Sequence, residues 1–238
     1  MDDLIESQFQ RAEELLSELE DEYGSALDKQ EVTNRALNLT HEILMKIRSI
    51  LDQVMHLYFE KTIAPQLTPN EREKAIIYFP IAESEQSLYS TLGRGKMRQM
   101  ETDDSKTYHF IRSYQPFVDK RNGWLKILNE YAIAGRHTGL TPQKKKMHKK
   151  ITVIGPGERA SWDPDCVTFF EKETVIMGGA KIDWKTQRII PMPGVKEIIE
   201  SWEVFYFEGT HINALKFCEE CFEKSKDLVS KFMELIIN

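Results

Sequence analysis

Residues 33–62 read TNRALNLTHEILMKIRSILDQVMHLYFEKT. Within them Leu37, Leu44, Ile47, Leu51, Val54 and Tyr58 fall on one face of a 3.6-residue helix. Ile43, Ile50, Met55 and Leu57 carry the apolar surface well past the narrow seam of a coiled coil. A helix apolar over so much of its circumference needs neighbours on several sides. This segment, from about Thr33 to Thr62, is therefore expected at the centre of a helical bundle.

Upstream, Ile5, Phe9, Ala12, Leu16, Leu19, Tyr23 and Ala26 step by fours and threes and predict a first long helix. Its other faces carry Glu13, Glu14, Glu18, Glu20, Asp21 and Glu22, a solvated acidic surface unsuited to a nucleic acid. Only a short break, around Asp28 to Glu31, separates the two helices, so they should pack antiparallel as an αα-hairpin.

Downstream, Pro65 ends the central helix, and Thr68-Pro69-Asn70-Glu71 has the form of a helix start with proline in its first turn. Ala75 to Ile81 (AIIYFPI) reads as a buried connector. Ser84 to Met100 predicts a weaker helix interrupted at Gly93 and Gly95. Asp103 or Asp104 caps another through about Tyr114, halted by Pro116. Trp124, Leu125, Ile127, Leu128 and Tyr131 form an amphipathic helix expected to stop at Gly135.

At Thr141 the character of the chain changes. Lys144 to Lys150 (KKKMHKK) is basic, poor in apolar residues and reads as a linker. Strand-like runs follow at Ile151 to Ile154, Val167 to Phe170, Thr174 to Met177, Arg188 to Ile190 and Trp202 to Phe207. Gly155-Pro156-Gly157, Asp163-Pro164-Asp165 and Gly178-Gly179 supply turns between them. Ile212 to Ile237 is one closing helix with Leu215, Cys218, Phe222, Leu228, Val229, Phe232 and Leu235 mostly on one side. The expected fold class is α+β, mainly α. A helical bundle (1–140) receives a small antiparallel β-sheet insertion (141–209), and a C-terminal helix (210–238) packs back on the bundle.

Bulk composition narrows the function classes. Hydrophobic content of 41% and charged content of 29% over 238 residues are ordinary globular usage and argue against wholesale disorder. A net charge of −6 disfavours nucleic-acid binding by the surface as a whole and leaves room for a local basic site. Asp2, Asp3 and Glu6 open the chain where a secretory leader would be basic and then apolar, and no run approaches the length of a membrane span. With three cysteines and no disulfide pattern, the expectation is a cytoplasmic protein with no membrane partner.

Several stretches together resemble a large group of uncharacterised bacterial proteins. They are Phe9-Gln10-Arg11-Ala12-Glu13, Ile47-Arg48-Ser49-Ile50-Leu51-Asp52, Phe79-Pro80-Ile81, and Tyr114-Gln115-Pro116-Phe117 with Leu128-Asn129-Glu130 and Arg136-His137. In that group the second helix carries a leucine-arginine-serine-alanine-leucine-aspartate-histidine core, and a later helix closes on lysine-histidine-arginine. The group resembles the HEPN-like helical proteins, which implies an antiparallel HEPN-like bundle, a homodimer, and RNA cleavage or RNA or protein binding in bacterial defence or toxin-antitoxin systems. HEPN nucleases place an arginine, an interval of four to six residues and a histidine on one helix. The histidine moves the proton of the 2′-hydroxyl and the arginine steadies the phosphate.

This chain departs from that pattern. Arg48 is present, but Gln53 stands where the resemblance calls for histidine, and His56 lies about 60° away around the helix. Glutamine cannot act as the acid–base group, so catalysis is expected to be degenerate. Asp52 and Gln53 would line the former cleft, and His56 or His137 would have to replace the missing histidine in a surviving metal-independent RNase. The plainer reading of Arg48 is a buried charge paired with Asp52 four residues on. Arg121, Arg136, Lys144, Lys145 and Lys146 form a candidate phosphate-binding patch, against which stands a solvated helix end and linker.

Cys218-Glu219-Glu220-Cys221 has the spacing of a zinc half-site but lacks a matched second pair, and Cys218 falls on an apolar stripe. Gly93-Arg94-Gly95-Lys96 and Gly178-Gly179 fit no nucleotide-binding fingerprint. Neither a metal nor a cofactor is expected.

Overall fold

The computed structural model describes residues 2–25, 32–137, 140–169 and 175–237, with only the backbone of 134–137 and 237. The chain is α+β and mainly α. It forms two compact units, one of Met1–Gln143 with Phe207–Asn238 and the other Lys144–Tyr206.

In the helical unit, α1 (Asp3–Ser25) lies against α2 (Asn34–Tyr58). Thr33 caps α2 by accepting from the Ala36 amide at 3.1 Å, and its hydroxyl donates to Glu22 of α1 at 2.6 Å, which ties the two ends of the hairpin. The buried face of α1 is Ile5, Phe9, Ala12, Leu15, Leu19 and Tyr23. Leu15 thus takes the place expected for Leu16. Ala26 and the break at Asp28 to Glu31 lie outside the described residues.

The centre of the unit is α2. Ile43, Leu44, Ile47, Ile50, Leu51, Val54, Met55 and Tyr58 are buried, and the helix packs on α1, α7 and α8. Past Tyr58 it loosens into a π-turn (Phe59–Ile63) and a 3-10 turn (Ala64–Gln66). Thr68 then starts the short α3 (Pro69–Glu73) with a complete capping box to Glu71. The connector after it is buried only from Phe79 onward. Ile76 and Tyr78 face solvent, so the expected buried run is an extended segment that alternates outward and inward.

Ser84 caps α4 (Glu85–Arg94), followed by α5 (Met100–Asp103). Asp104 caps α6 (Ser105–Ser113) through the Thr107 amide and also accepts from the buried Tyr58 hydroxyl at 3.0 Å. Helix α7 (Gly123–His137) runs through Gly135 rather than stopping there.

The unit closes with α8 (Ala214–Ile237), whose Phe222 meets Phe9 edge-on at 5.8 Å. Phe232 of α8 stacks on Phe110 at 5.4 Å and also meets Tyr58. Burying such a side chain contributes about 1.5–3 kcal/mol, so these aromatic contacts carry much of the helical core.

The smaller unit is built on a sheet of order β2-β1-β5. β1 (Gln143–Gly155) and β2 (Glu158–Trp162) form a hairpin in the register Ile151↔Trp162 to Gly155↔Glu158, turned at Gly157 with φ +81. A second hairpin joins β3 (Val175–Met177) to β4 (Ala180–Ile182) through Gly178 and Gly179, whose φ values of +58 and +74 suit a two-residue turn. β5 (Lys196–Phe207) is the other edge of the larger sheet. Ile151, Val153, Trp162, Ala180 and Ile182 make the core of this unit.

Three local expectations change here. The lysine-rich segment is not a linker but the first half of β1. Val167 to Phe169 is a loop, because the Asp163 carbonyl draws in the Cys166 and Val167 amides at 3.0 and 3.2 Å. Arg188 to Ile190 contributes one bridge, Ile182↔Ile189, rather than a strand. β2 and β4, too polar or too short for a hydrophobic pattern, had no sequence signal. Phe170 and Thr174 lie outside the described residues.

Candidate functional site

Three of the stretches that carry the resemblance, Ile47 to Asp52, Phe79 to Ile81 and Leu128 to Glu130, meet at one hydrogen-bonded node. Arg48 projects from α2 with its side chain only 12% exposed. Its Nε donates to Asn129 Oδ1 of α7 at 3.1 Å and its Nη2 to the Phe79 carbonyl at 3.1 Å. Its Nη1 is paired with Asp52 one turn along α2. The same Asp52 Oδ1 accepts from the Phe79 amide at 2.9 Å, so arginine and aspartate together hold both polar groups of one peptide residue.

A second clamp sits next to the first. Gln115, fully buried, donates to the Pro80 and Ile111 carbonyls at 3.0 and 2.9 Å and accepts from the Ala82 amide at 2.9 Å. Residues 79–82 have neither helix nor sheet to satisfy their backbone, and these side chains do it instead. The chemistry of the node is positioning. A guanidinium held by a carboxylate, an amide and a carbonyl already has its donors directed at fixed acceptors.

Gln53 and His56 occupy another part of α2. The Gln53 amide donates weakly to Ser49 Oγ at 3.4 Å, and its Oε1 is buried without a hydrogen-bond partner among the described residues. His56 is 59% exposed with Nδ1 3.8 Å from Glu60. It borders a cleft of about 640 Å³ lined also by Phe59, Glu60, Leu67 and Arg72. His56 lies eight positions after Arg48, about 12 Å along the helix axis, so within one chain they do not flank a single phosphate. The side chains of Arg136 and His137 lie outside the described residues.

The basic residues fall in both units. Arg121 is at the surface in an ion pair with Asp119 at 2.6 Å, which holds that carboxyl below its usual range. Lys144, Lys145 and Lys146 sit on β1, where alternation sends them to opposite faces. Lys145 is half-buried and pairs with Glu203 of β5 at 2.6 Å. Lys146 is exposed and 3.2 Å from Asp165.

Beside them is a constellation with no sequence signal. His148 is flanked by Asp163 (Nδ1 to Oδ2, 3.4 Å) and by the Tyr206 hydroxyl (2.9 Å from Nε2), and its ring lies nearly parallel to Trp202. The Asp165 amide, followed by the His148 contact, keeps the Asp163 carboxyl below its ordinary range. The β1–β2 hairpin brings Asp163 to His148, and the pairing of β1 with β5 brings Trp202 and Tyr206, a register that nothing in the sequence announces. Asn129 and Gln115 lie inside the resembling stretches, yet their roles required the connector's position.

Among the described residues no group of three or more histidine, cysteine or acidic side chains is placed to hold a metal. Cys218 and Cys221 are buried in α8, and burial pushes both thiols up, so they behave as core groups. No described helix is long and apolar enough to cross a membrane. Compared with known proteins, the chain matches no family model, no curated protein and no solved structure.

Proposed function

We propose that this chain is a HEPN-like helical protein that binds RNA, in a bacterial defence or toxin-antitoxin setting, without cleaving it. The observation that carries the reading is the bonding of Arg48. In a working nuclease this side chain would meet a scissile phosphate, and here it already answers to Asp52, Asn129 and Phe79. Gln53, in the place of the acid–base histidine, has no proton to exchange near neutral pH. RNA is favoured over a protein as partner because a chain of net charge −6 presents a run of lysines along one strand.

The test is incubation of the metal-free protein with a mixed RNA pool, beside the His56→Ala, His137→Ala double variant. Retarded but intact RNA in both lanes is the expected result. Cleavage by the wild type that the double variant loses would replace this reading with a metal-independent RNase using one of those histidines.

A second reading has its own observation. Leu4, 60% exposed, lines a recess of about 380 Å³ with Ile5, Gln53, His56 and Leu57 at the end of the α1–α2 hairpin. A homodimer or protein partner seated there makes the chain an interaction module indifferent to RNA. Leu4→Glu then shifts the sedimentation coefficient at fixed concentration, and an unchanged monomer value in both proteins removes this alternative.

A further inference from the structure

The β2-β1-β5 sheet has two unlike faces. Ile151 and Val153 of β1 and Trp162 of β2 point to one face, which the β3–β4 hairpin covers to form the core of the unit. Alternation places Lys144, Lys146, His148 and Lys150 on the opposite face of β1. The contacts of His148 show which side of β5 shares that face: Trp202, ring centroids 6.1 Å away and planes within 19°, and Tyr206. Across the hairpin, Thr152 bonds to Ser161 at 2.9 Å on the same side.

This second face is therefore aromatic at β5 and cationic along β1. Trp202 is 44% exposed, more than an indole held for packing alone requires. One of its faces has the His148 ring as a neighbour, and the residue retains surface for another flat group. Lys144 and Lys146 are exposed and Lys150 is half-buried, so a row of ammonium groups stands beside the indole. Acidic groups at this face include Glu200, exposed and two residues before Trp202 on β5, Asp165, in an exposed pair with Lys146 that a phosphate can exchange at little cost, and Asp163, turned toward His148.

We propose that this face binds single-stranded RNA, with a base stacked on Trp202 and the backbone phosphates following Lys144, Lys146 and Lys150. The charge of the row selects a polyanion, and the indole selects one whose bases are unpaired, because paired bases within a duplex offer no ring face to a side chain. The inference rests on the RNA-binding reading above and gives it a location and a strand state. His148, between Asp163 and Tyr206, is a positioning residue that fixes the neighbouring indole.

The experiment is fluorescence anisotropy of labelled oligouridine, oligothymidine and a fully paired RNA hairpin, titrated with the full chain. Three variants accompany it: Trp202→Ala, Trp202→Phe and the double variant Lys144→Ala, Lys146→Ala. All three change solvent-facing positions, so the fold is kept. Oligouridine should bind more tightly than the hairpin. Trp202→Ala should weaken it about tenfold, while Trp202→Phe, which keeps a ring, stays within about threefold of wild type. The lysine variant should flatten the slope of log K against log salt by about 1.4, two single-strand contacts' worth.

Equal binding of oligothymidine supports the stacking face and widens its ligand to any single strand. Preference for the hairpin, or variants that bind oligouridine as wild type does, overturns the inference. If no oligonucleotide binds although the mixed RNA pool is retained, this face is excluded and the broader reading stands. If the pool is not retained either, both fall.

Discussion

The helical unit and the sheet unit place their polar side chains in opposite ways. In the helical unit the most specific residues of the sequence, Arg48, Asp52, Gln115 and Asn129, turn inward and satisfy a stretch of chain without secondary structure. In the sheet unit Lys146 and Trp202 turn outward, beside a core of only a few apolar residues. Arg48 and Asp52, from the stretch that carries the resemblance, bond to backbone, and a run read as a linker is the first half of a strand. Residue type announces that a site matters, but the acceptors around it decide what it does.

The sharpest way to break this comparison is Arg48→Ala. It leaves the Asp52 carboxylate half-buried without its cation and frees the Phe79 carbonyl, a loss on the order of 3 kcal/mol in urea denaturation. Arg48→Lys should recover little of it, since a point charge cannot reach three acceptors. RNA affinity per folded molecule should stay unchanged. An Arg48→Ala protein of full stability that had lost an RNA-dependent activity would return Arg48 to an active site. Next in size is Gln115→Ala, which orphans the Pro80 carbonyl and the Ala82 amide and leaves the Ile111 carbonyl with only the Tyr114 amide, a loss on the order of 2 kcal/mol. Hydrogen exchange at Ala82 should rise with it, and unchanged exchange there would show that another group holds the connector.

How much of this was legible in the sequence follows the same division. The apolar steps of α1, α2 and α8 gave the mainly helical α+β class, because helix periodicity is a local signal repeated over many residues. The Arg48–Asp52 pair was legible too, being four residues apart on one helix. Asn129 and the Phe79 backbone were not, since they arrive from segments 81 and 31 residues away. The sheet fared worst. Lysines carry no strand signal, β2 has a polar sequence, and the His148–Trp202 contact depends on a strand pairing that spans most of the insertion. The local marks that survived include the turn at Gly157 and the glycine turn at 178–179.

That turn gives a prediction confined to the sheet unit. Gly178 has φ +58, and a Cβ there would stand 2.8 Å from the Val153 carbonyl and 3.2 Å from the Ala160 amide. Gly178→Ala should therefore cost about 1–2 kcal/mol from the left-handed conformation, besides whatever shift relieves the contact. Exchange should quicken at the β1–β2 amides and stay as it was along α2. Equal quickening in both units would mean that they unfold together and that the division drawn between them is not energetic.

The smallest expected effect comes from the buried hydroxyl of Tyr58. Burial first, and then the charge of Asp104, raise its pKa well above the usual tyrosine value of about 10. The sign follows from which state holds the proton. Below pH ~10 the phenol is protonated whether the chain is folded or not, and its hydrogen bond to Asp104 contributes fully. Above that, the unfolded chain ionises while the folded one retains the proton, so stability falls as pH rises, by at most about 1.4 kcal/mol per pH unit for this one group. Tyr58→Phe lacks both the bond and the titration. It should be roughly 1 kcal/mol less stable than wild type near neutrality, with the gap closing above pH ~10. A gap that stays constant to higher pH would mean that the hydroxyl reaches water, and the inward-facing character argued for the helical unit would stop short of Tyr58.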